Sequence, residues 1–215
     1  MHLAVFASGS GSNLEAILHA IEAGRLPASV ALVVSNRADA FALERARTRG
    51  ISAATLDPTA FADEVTYLDA LREILASHRV EFIALAGYMK KIPAPLVVEY
   101  RGRMLNVHPA LLPAFGGPGM YGQRIHRAVI AYGVRWTGVT VHLVDESYDT
   151  GPVVLQEPVA VLPDDTPESL AARVLQVEHR LYPEALALFA TDRIRVEGRR
   201  VFITAGPMPP SPPSP

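Results

Sequence analysis

The sequence predicts an α/β protein built on a doubly wound, mostly parallel sheet that turns antiparallel in its C-terminal part. Three observations carry this. The segments "LAVFA" (3–7), "VALVV" (30–34) and "FIALA" (82–86) are continuous apolar runs, the pattern of parallel strands covered on both faces. Helical patterns with short connections separate them, which is the alternation of a doubly wound sheet. Beyond residue 136, strand-like runs follow one another across a turn-rich segment with no helix between them.

Each element follows from its own pattern. After the first strand, Leu14, Ile17, Leu18 and Ile21 recur at helical spacing, and Gly24 suits the position just past the helix end. Residues 39–49 and 60–78 carry the next two helices. "MLNVH" (104–108) reads as a fourth strand, and 120–132 as a helix. "TGVTVHLV" (137–144) and "PVVLQEPVAV" (152–161) are strands separated by "DESYDTG". Thr166 then caps a long helix with Pro167 at its first position, and Leu170, Val174, Val177 and Leu181 form its buried stripe. "IRVEGRRVFIT" (194–204) reads as a hairpin around Glu197–Gly198. Residues 1–205 are expected to form one domain, and 206–215, "GPMPPSPPSP", a disordered proline-rich tail.

Composition narrows the function classes. A chain of 215 residues, 49% hydrophobic and with net charge −2, suits a packed globular domain and offers no basic field for nucleic acid or an anionic membrane. Of the 20 Lys and Arg residues only Lys90 and Lys91 are lysines, a skew that a GC-rich genome explains. The absence of cysteine excludes disulfides, thiolate metal sites and cysteine nucleophiles. The N-terminus lacks the basic region and long apolar run of a signal peptide, and no stretch approaches the roughly 20 apolar residues of a membrane span. The expected setting is cytoplasmic.

Three clusters carry chemistry. "SGSGSN" (8–13) joins the first strand to the first helix, where glycines admit a close ligand and free N–H groups favour a phosphate. Ser12 and Glu15 also fit an ordinary capping box. The loop is neither a Walker A motif nor a good dinucleotide fingerprint: no G-K-[ST] follows, Leu14 stands at the third glycine position, and Ser35-Asn36-Arg37 replaces the acidic residue after strand two. A phosphate monoester on a small substrate fits better. In the second cluster, Asn106 and His108 are two apart and share a strand face, and Pro109 keeps His108 extended. An amide and an imidazole at the carboxyl end of a strand suit an oxyanion contact and a general acid or base. The ordinary alternative is a histidine satisfied by nearby backbone. The third cluster is the Asp149-Thr150-Gly151-Pro152 turn, whose carboxylate either caps backbone N–H groups or orients an imidazole. His142 is a second polar group on the preceding strand, but the spacing of His108, His142 and Asp149 gives a metal site little support, so no metal is expected.

Together these stretches resemble the phosphoribosylglycinamide formyltransferases, within the wider family of folate-dependent formyltransferases. The resemblance runs from residue 1 to about 190 through "SGSGSNLEAI", "SNRADAFALERARTRGI", "LAGYMKKI", "LNVHPALLPAF", "TGVTVHLVDESYDTGPV" and "VEHRLYP". It implies a Rossmann-like formyltransferase fold, with 1–100 as the half that binds the ribotide phosphate and 101–205 as the catalytic and folate half. It further implies that Asn106, His108 and Asp149 are catalytic. Gly11, Ser12 and Asn13 would hold the phosphate of glycinamide ribonucleotide, and Glu178 would contact the ribotide near its ribose and amine. Tyr88, Met89 and Lys90, with Val144, Asp145 and Glu146, would line the pocket for 10-formyltetrahydrofolate. Two positions depart from the family's familiar pattern: Lys90 stands where an arginine is usual, and Leu175 where a lysine is. The loop 116–122 is glycine-rich and reads as a flap over the ribotide.

The implied activity is formyl transfer to the ribotide amine through a tetrahedral intermediate, in de novo purine biosynthesis. Its partners would be small molecules, with no nucleic acid and no membrane, and the protein a monomer or a homodimer. Methionyl-tRNA formyltransferase and formyltetrahydrofolate hydrolase are the rivals within the chemistry. The first adds a C-terminal domain and the second an N-terminal one, and "GSGSN" favours the ribotide enzyme over both. A non-catalytic ribotide-binding module is the rival outside it.

Overall fold

The computed structural model describes residues 1–206. Seven strands form one sheet in the order β3-β2-β1-β4-β5-β6-β7. The first five are β1 (His2–Phe6), β2 (Ser29–Ser35), β3 (Ser52–Thr55), β4 (Phe82–Leu85) and β5 (Met104–His108), which pair in parallel. β6 (Trp136–Leu143) and β7 (Val153–Ala160) complete it antiparallel, as the sequence predicts. A separate hairpin of β8 (Ile194–Glu197) and β9 (Arg200–Ile203) follows, turning at 198–199. The proline-rich tail beyond Gly206 lies outside the described residues.

Side chains alternate across the strands and split the core in two. On one face Leu3, Val5 and Ala7 of the first strand and its extension meet α1 (Ser12–Glu22), α2 (Phe41–Thr48), α5 (Gln123–Tyr132) and α6 (Pro167–Ala190). On the other, Ala4 and Phe6 meet α3 (Glu64–Ser77) and α4 (Ala94–Glu99). Tyr182 of α6 is fully buried, and its hydroxyl donates toward the carbonyls of Leu85 and Leu105, both at 3.0 Å. That bond fixes the long helix over the ends of β4 and β5.

Two elements escape the sequence patterns, so "MLNVH" is the fifth strand and not the fourth. β3 reads "SAAT", a short edge strand without an apolar run, and α4 is a six-residue helix opened by Pro93 and Pro95. The long helix starts as predicted, since the Thr166 hydroxyl accepts from the Ser169 amide, with Pro167 at N1. Val177, expected in the buried stripe, is only partly buried, while Leu170, Val174 and Leu181 are buried.

The capping box at Ser12 and Glu15 does not form. Gly11 is the N-cap, in the left-handed region at φ 71°, and no side chain caps the helix. A Cβ on Gly11 would lie 2.8 Å from both Cα and Cβ of Ala42, so the packing of α2 against the loop requires glycine and sets the helix start there. Glu15 then falls one position past the box, and pairs with Arg45 at 2.6 Å, with Arg49, and with His19 at 3.1 Å.

Candidate active site

The order of the strands places two loops face to face. The chain leaves β1 toward β2 and β3, then returns to build β4 and β5 on the other side, so β1 and β4 flank the reversal point where ligands of such sheets collect. The β1–α1 loop carries Ser8–Gly11, and the segment after β4 carries Gly87–Lys90. Both border one cavity of about 690 Å³.

On the side of the 8–13 loop, Ser10 and Ser12 line the cavity. The loop leans on α2, whose Ala42 amide donates to the Gly9 carbonyl at 3.1 Å and whose Arg45 Nε donates to the Ser10 carbonyl at 2.8 Å. Gly11 and Asn13 do not reach the cavity surface. Asn13 is buried, its Nδ2 donates to Glu178 Oε2 at 2.7 Å, and its Oδ1 has no hydrogen-bond partner. Glu178 is buried yet lines the cavity, and burial pushes its carboxyl up to about 7 against the lowering effect of Asn13.

The polar cluster is assembled by β5 and β6. Asn106 stands directly opposite His142, and His108 opposite Thr140. Cross-strand neighbours approach closely, and Asn106 Nδ2 lies 3.1 Å from His142 Nε2. The other His142 nitrogen, Nδ1, donates to the Leu143 carbonyl at 2.9 Å. That assignment leaves Nε2 with its lone pair, so Asn106 must be the donor, and its amide orientation follows. A register shift between Val141 and His142 on the β7 side marks an irregularity at this point of the sheet.

Asp149 enters from the β6–β7 connection. It holds φ 56°, a left-handed conformation that aspartate tolerates better than most residues. A Cβ on Gly151 would lie 1.7 Å from the Leu143 carbonyl oxygen, so the D-T-G-P turn closes only with glycine there. Asp149 Oδ1 is 3.6 Å from both His108 Nδ1 and His142 Nε2, an ion-pair distance and not a hydrogen bond. Its Oδ2 accepts from the Gly117 amide at 2.8 Å. Burial pushes the Asp149 carboxyl up, but the two imidazoles when protonated and the Gly117 amide outweigh it and hold it below the usual carboxylate range. Burial drives His108 below its ordinary value, against the raising effect of Asp149 and of its bond to Phe115. Among the described residues no group of three His, Asp or Glu is arranged to hold a metal ion.

His108 Nε2 lies 2.9 Å from the Phe115 carbonyl, so Nε2 carries a proton and Nδ1 faces the carboxylate. Both alternatives left open by the sequence are therefore present at once: backbone satisfies one nitrogen, and Asp149 confronts the other. The loop from Phe115 hangs on the cluster at two points, Phe115 on His108 and Gly117 on Asp149.

Tyr88, Met89, Lys90, Val144, Asp145 and Glu146 all border the same cavity. Leu85, Ile92 and Val97 supply apolar wall beside them. Three participants escape sequence reasoning. His126 is buried on α5, lines the cavity and has an Nδ1 without a partner. Its only signal is a polar residue between Ile125 and Val129 on the buried side of the helix. Phe115 and Gly117 take part through backbone atoms, which residue type does not announce.

Comparison with known proteins follows the same outline. The family model described as formyl transferase matches residues 1–186. Phosphoribosylglycinamide formyltransferase of Escherichia coli (strain K12) is 37% identical over 210 residues, covering 98% of this chain and 97% of that protein. The chloroplastic phosphoribosylglycinamide formyltransferase of Arabidopsis thaliana is 44% identical over 195 residues, 90% of this chain, which spans 66% of that relative's length. The crystal structure of glycinamide ribonucleotide transformylase 1 from Symbiobacterium toebii superposes with a TM-score of 0.89 at 45% identity, covering 94% of this chain and 93% of that one.

Proposed function

The chain belongs to the formyl transferase family, and from that premise we propose that it transfers the formyl group of 10-formyltetrahydrofolate to the amine of glycinamide ribonucleotide, a step of de novo purine biosynthesis. The names of the relatives support the substrate pair. The observation that carries the reading is the single cavity bordered by Ser12 of an anion-binding loop, by Asn106, His108 and Asp149, and by Tyr88, Met89 and Lys90.

In this reading the helix N-terminus at Gly11, Ser12 and Asn13 seats the ribotide phosphate, with Ser12 meeting it in the cavity and Gly11 and Asn13 shaping the helix start behind it. Glu178 meets the ribotide near its ribose and amine. Tyr88, Met89 and Lys90 line the folate site with Val144, Asp145 and Glu146. The phosphate seat thus falls to 1–100 and catalysis to 101–205, with each half lending side chains across the cavity. The substrates are small molecules, the setting is cytoplasmic, without nucleic-acid or membrane partners, and the protein works as a monomer or homodimer. Among the described residues no helix is long and apolar enough to cross a membrane.

The ribotide amine attacks the formyl carbon, forming a C–N bond and moving the carbonyl electrons onto oxygen. The second Nδ2 proton of Asn106, not used on His142, donates to that oxyanion. His108 donates from Nε2 once the Phe115 carbonyl releases it, and the facing Asp149 carboxylate stabilises the imidazolium. The tetrahedral intermediate collapses by breaking the bond to the folate nitrogen, which takes up the proton lost by the amine. No covalent enzyme intermediate is needed.

The test is folate deformylation followed with 10-formyltetrahydrofolate in the presence and absence of glycinamide ribonucleotide. Ribotide-dependent turnover with formylated ribotide as product is expected. Deformylation that proceeds equally without ribotide makes the protein a hydrolase, and affinity without turnover makes it a binding module. Either result overturns the proposal.

A further inference from the structure

Ser8 lies on the reversal point of the sheet and bonds to none of the three side chains assigned to catalysis. It is 2% exposed and follows β1 by two residues. Its backbone amide donates to the Gly87 carbonyl at 3.1 Å. Its hydroxyl accepts from the Met89 amide at 2.8 Å and donates to Asn36 Oδ1 at 2.5 Å. A serine hydroxyl has one proton, so with Met89 donating to the oxygen that proton must go to the Asn36 oxygen, which also fixes the Asn36 amide. Asn36 is buried and follows β2 directly. Three strand ends, those of β1, β2 and β4, therefore meet on one hydroxyl.

The two walls joined in this way are the walls of the cavity. Two residues after Ser8 comes Ser10, which lines it, and Tyr88 and Met89 line it from the other side. No other side chain makes a hydrogen bond between the 8–13 loop and the 87–90 segment among the described residues. The hydroxyl is a buried strut between the ribotide side and the folate side.

We infer that Ser8 is a positioning residue that couples the two substrate sites: through its hydroxyl, a ligand on the 8–13 loop sets the 87–89 segment for a ligand in the folate pocket, and the reverse. This rests on the assignment of the two sites under the proposed function. Coupling between sites is reciprocal, so each ligand must tighten the other by one factor. Removing the hydroxyl leaves the Met89 amide and the Asn36 oxygen without their buried partner and frees the segment to shift. A shift of ~1 Å between reacting groups costs about 10²-fold in rate.

The test measures glycinamide ribonucleotide binding by calorimetry, alone and with saturating tetrahydrofolate, and then tetrahydrofolate binding alone and with ribotide. The wild type is expected to show mutual tightening of about fivefold or more, on the order of 1 kcal/mol. In Ser8→Ala the factor falls below about twofold, each single affinity changes less than about threefold, and kcat drops at least about tenfold. Asn36→Ala removes the acceptor from the other side and lowers the factor in the same direction. The double variant is no worse than Ser8→Ala, because both act on one strut. Unchanged coupling in Ser8→Ala, a wild type without coupling, or a loss of coupling matched by equal losses in both single affinities overturns the inference. Ser12→Ala and Lys90→Ala keep the two readings apart. If the first weakens ribotide alone and the second folate alone, the sites stand and only the role of Ser8 is at stake. If neither affinity responds, or neither ligand binds, the site assignment falls and takes the inference with it.

Discussion

The glycine-rich loop 8–13 and the imidazole cluster border the same cavity but are built in opposite ways. The loop is six consecutive residues at one strand–helix junction, and what it offers is backbone: free N–H groups at the start of α1, with Gly11 in the left-handed conformation. The cluster draws Asn106 and His108 from β5, His142 from β6 and Asp149 from the turn beyond, joined by the antiparallel pairing of β5 and β6. A backbone seat spreads its interaction over several amides and survives the loss of one side chain. A cluster of single imidazoles and carboxylates does not. The difference ranks the expected effects of mutation.

The largest belong to the cluster. His108→Ala and Asp149→Asn are each expected to lower kcat by about 10³-fold, within the range of general acid–base groups, while thermal unfolding confirms a folded protein. Near-wild-type turnover in both removes the contrast. In Asp149→Asn the His108 ring, already below its ordinary value through burial, should titrate lower still, because the carboxylate that raises it has gone. A ring-proton NMR titration in which it rises means that Asp149 does not act on His108. Asn106→Ala comes next, at about 10²-fold in kcat, the scale of one oxyanion donor. A change confined to KM instead makes Asn106 a ground-state contact.

The same contrast governs how much the sequence discloses. The parallel strands were legible because burial on both faces leaves uninterrupted apolar runs, as in "LAVFA" and "FIALA". β3 was not, since "SAAT" at the sheet edge buries little. The shared face of Asn106 and His108 follows from the period of a strand, and His142 opposite Asn106 depends on a register that only the folded sheet sets. That Asp149 comes to 3.6 Å from both rings depends on the left-handed turn and on Gly151 against Leu143, contacts without a local signature. The backbone partners at Phe115 and Gly117 are invisible in principle, because every residue carries a carbonyl and nearly every residue an N–H. The start of α1 shows the limit from the other side. A good local motif, Ser12 to Glu15, lost to a tertiary contact between Gly11 and Ala42.

Glu178 ties the loop to the cavity wall, bonded to Asn13 of α1 and bordering the cavity. Its carboxyl is near 4.5 when unfolded and is raised by burial to about 7 in the fold. A raised value means that the folded state favours the protonated form. Its contribution to stability is thus complete below about 4.5 and is lost as pH rises through about 7. Glu178→Gln removes the charge and keeps the shape. It should match the wild type in urea unfolding at pH 4 and exceed it at pH 8, by on the order of 2 kcal/mol. A variant less stable than the wild type at pH 8 shows that the ionised carboxylate is well solvated in the cavity, and that Glu178 faces solvent more than core.

The smallest effect sharpens the comparison most, because it separates two roles for one hydroxyl. If Ser12 capped α1, Ser12→Ala would cost about 1 kcal/mol of stability whatever ligand is present. The cap is Gly11, and no side-chain oxygen holds the first turn, so the Ser12 hydroxyl is not committed to the helix and lines the cavity instead. Ser12→Ala should therefore leave the unfolding midpoint unchanged in the absence of ligand. It should raise KM for the ribotide about tenfold, the low end for one hydrogen bond to a charged group, and leave kcat and the folate KM alone. The backbone amides and the helix dipole stay in place, which is why the loss is tenfold and not the far larger loss of the cluster variants. A lowered midpoint with unchanged KM gives Ser12 back to the helix and shifts the phosphate seat onto backbone alone.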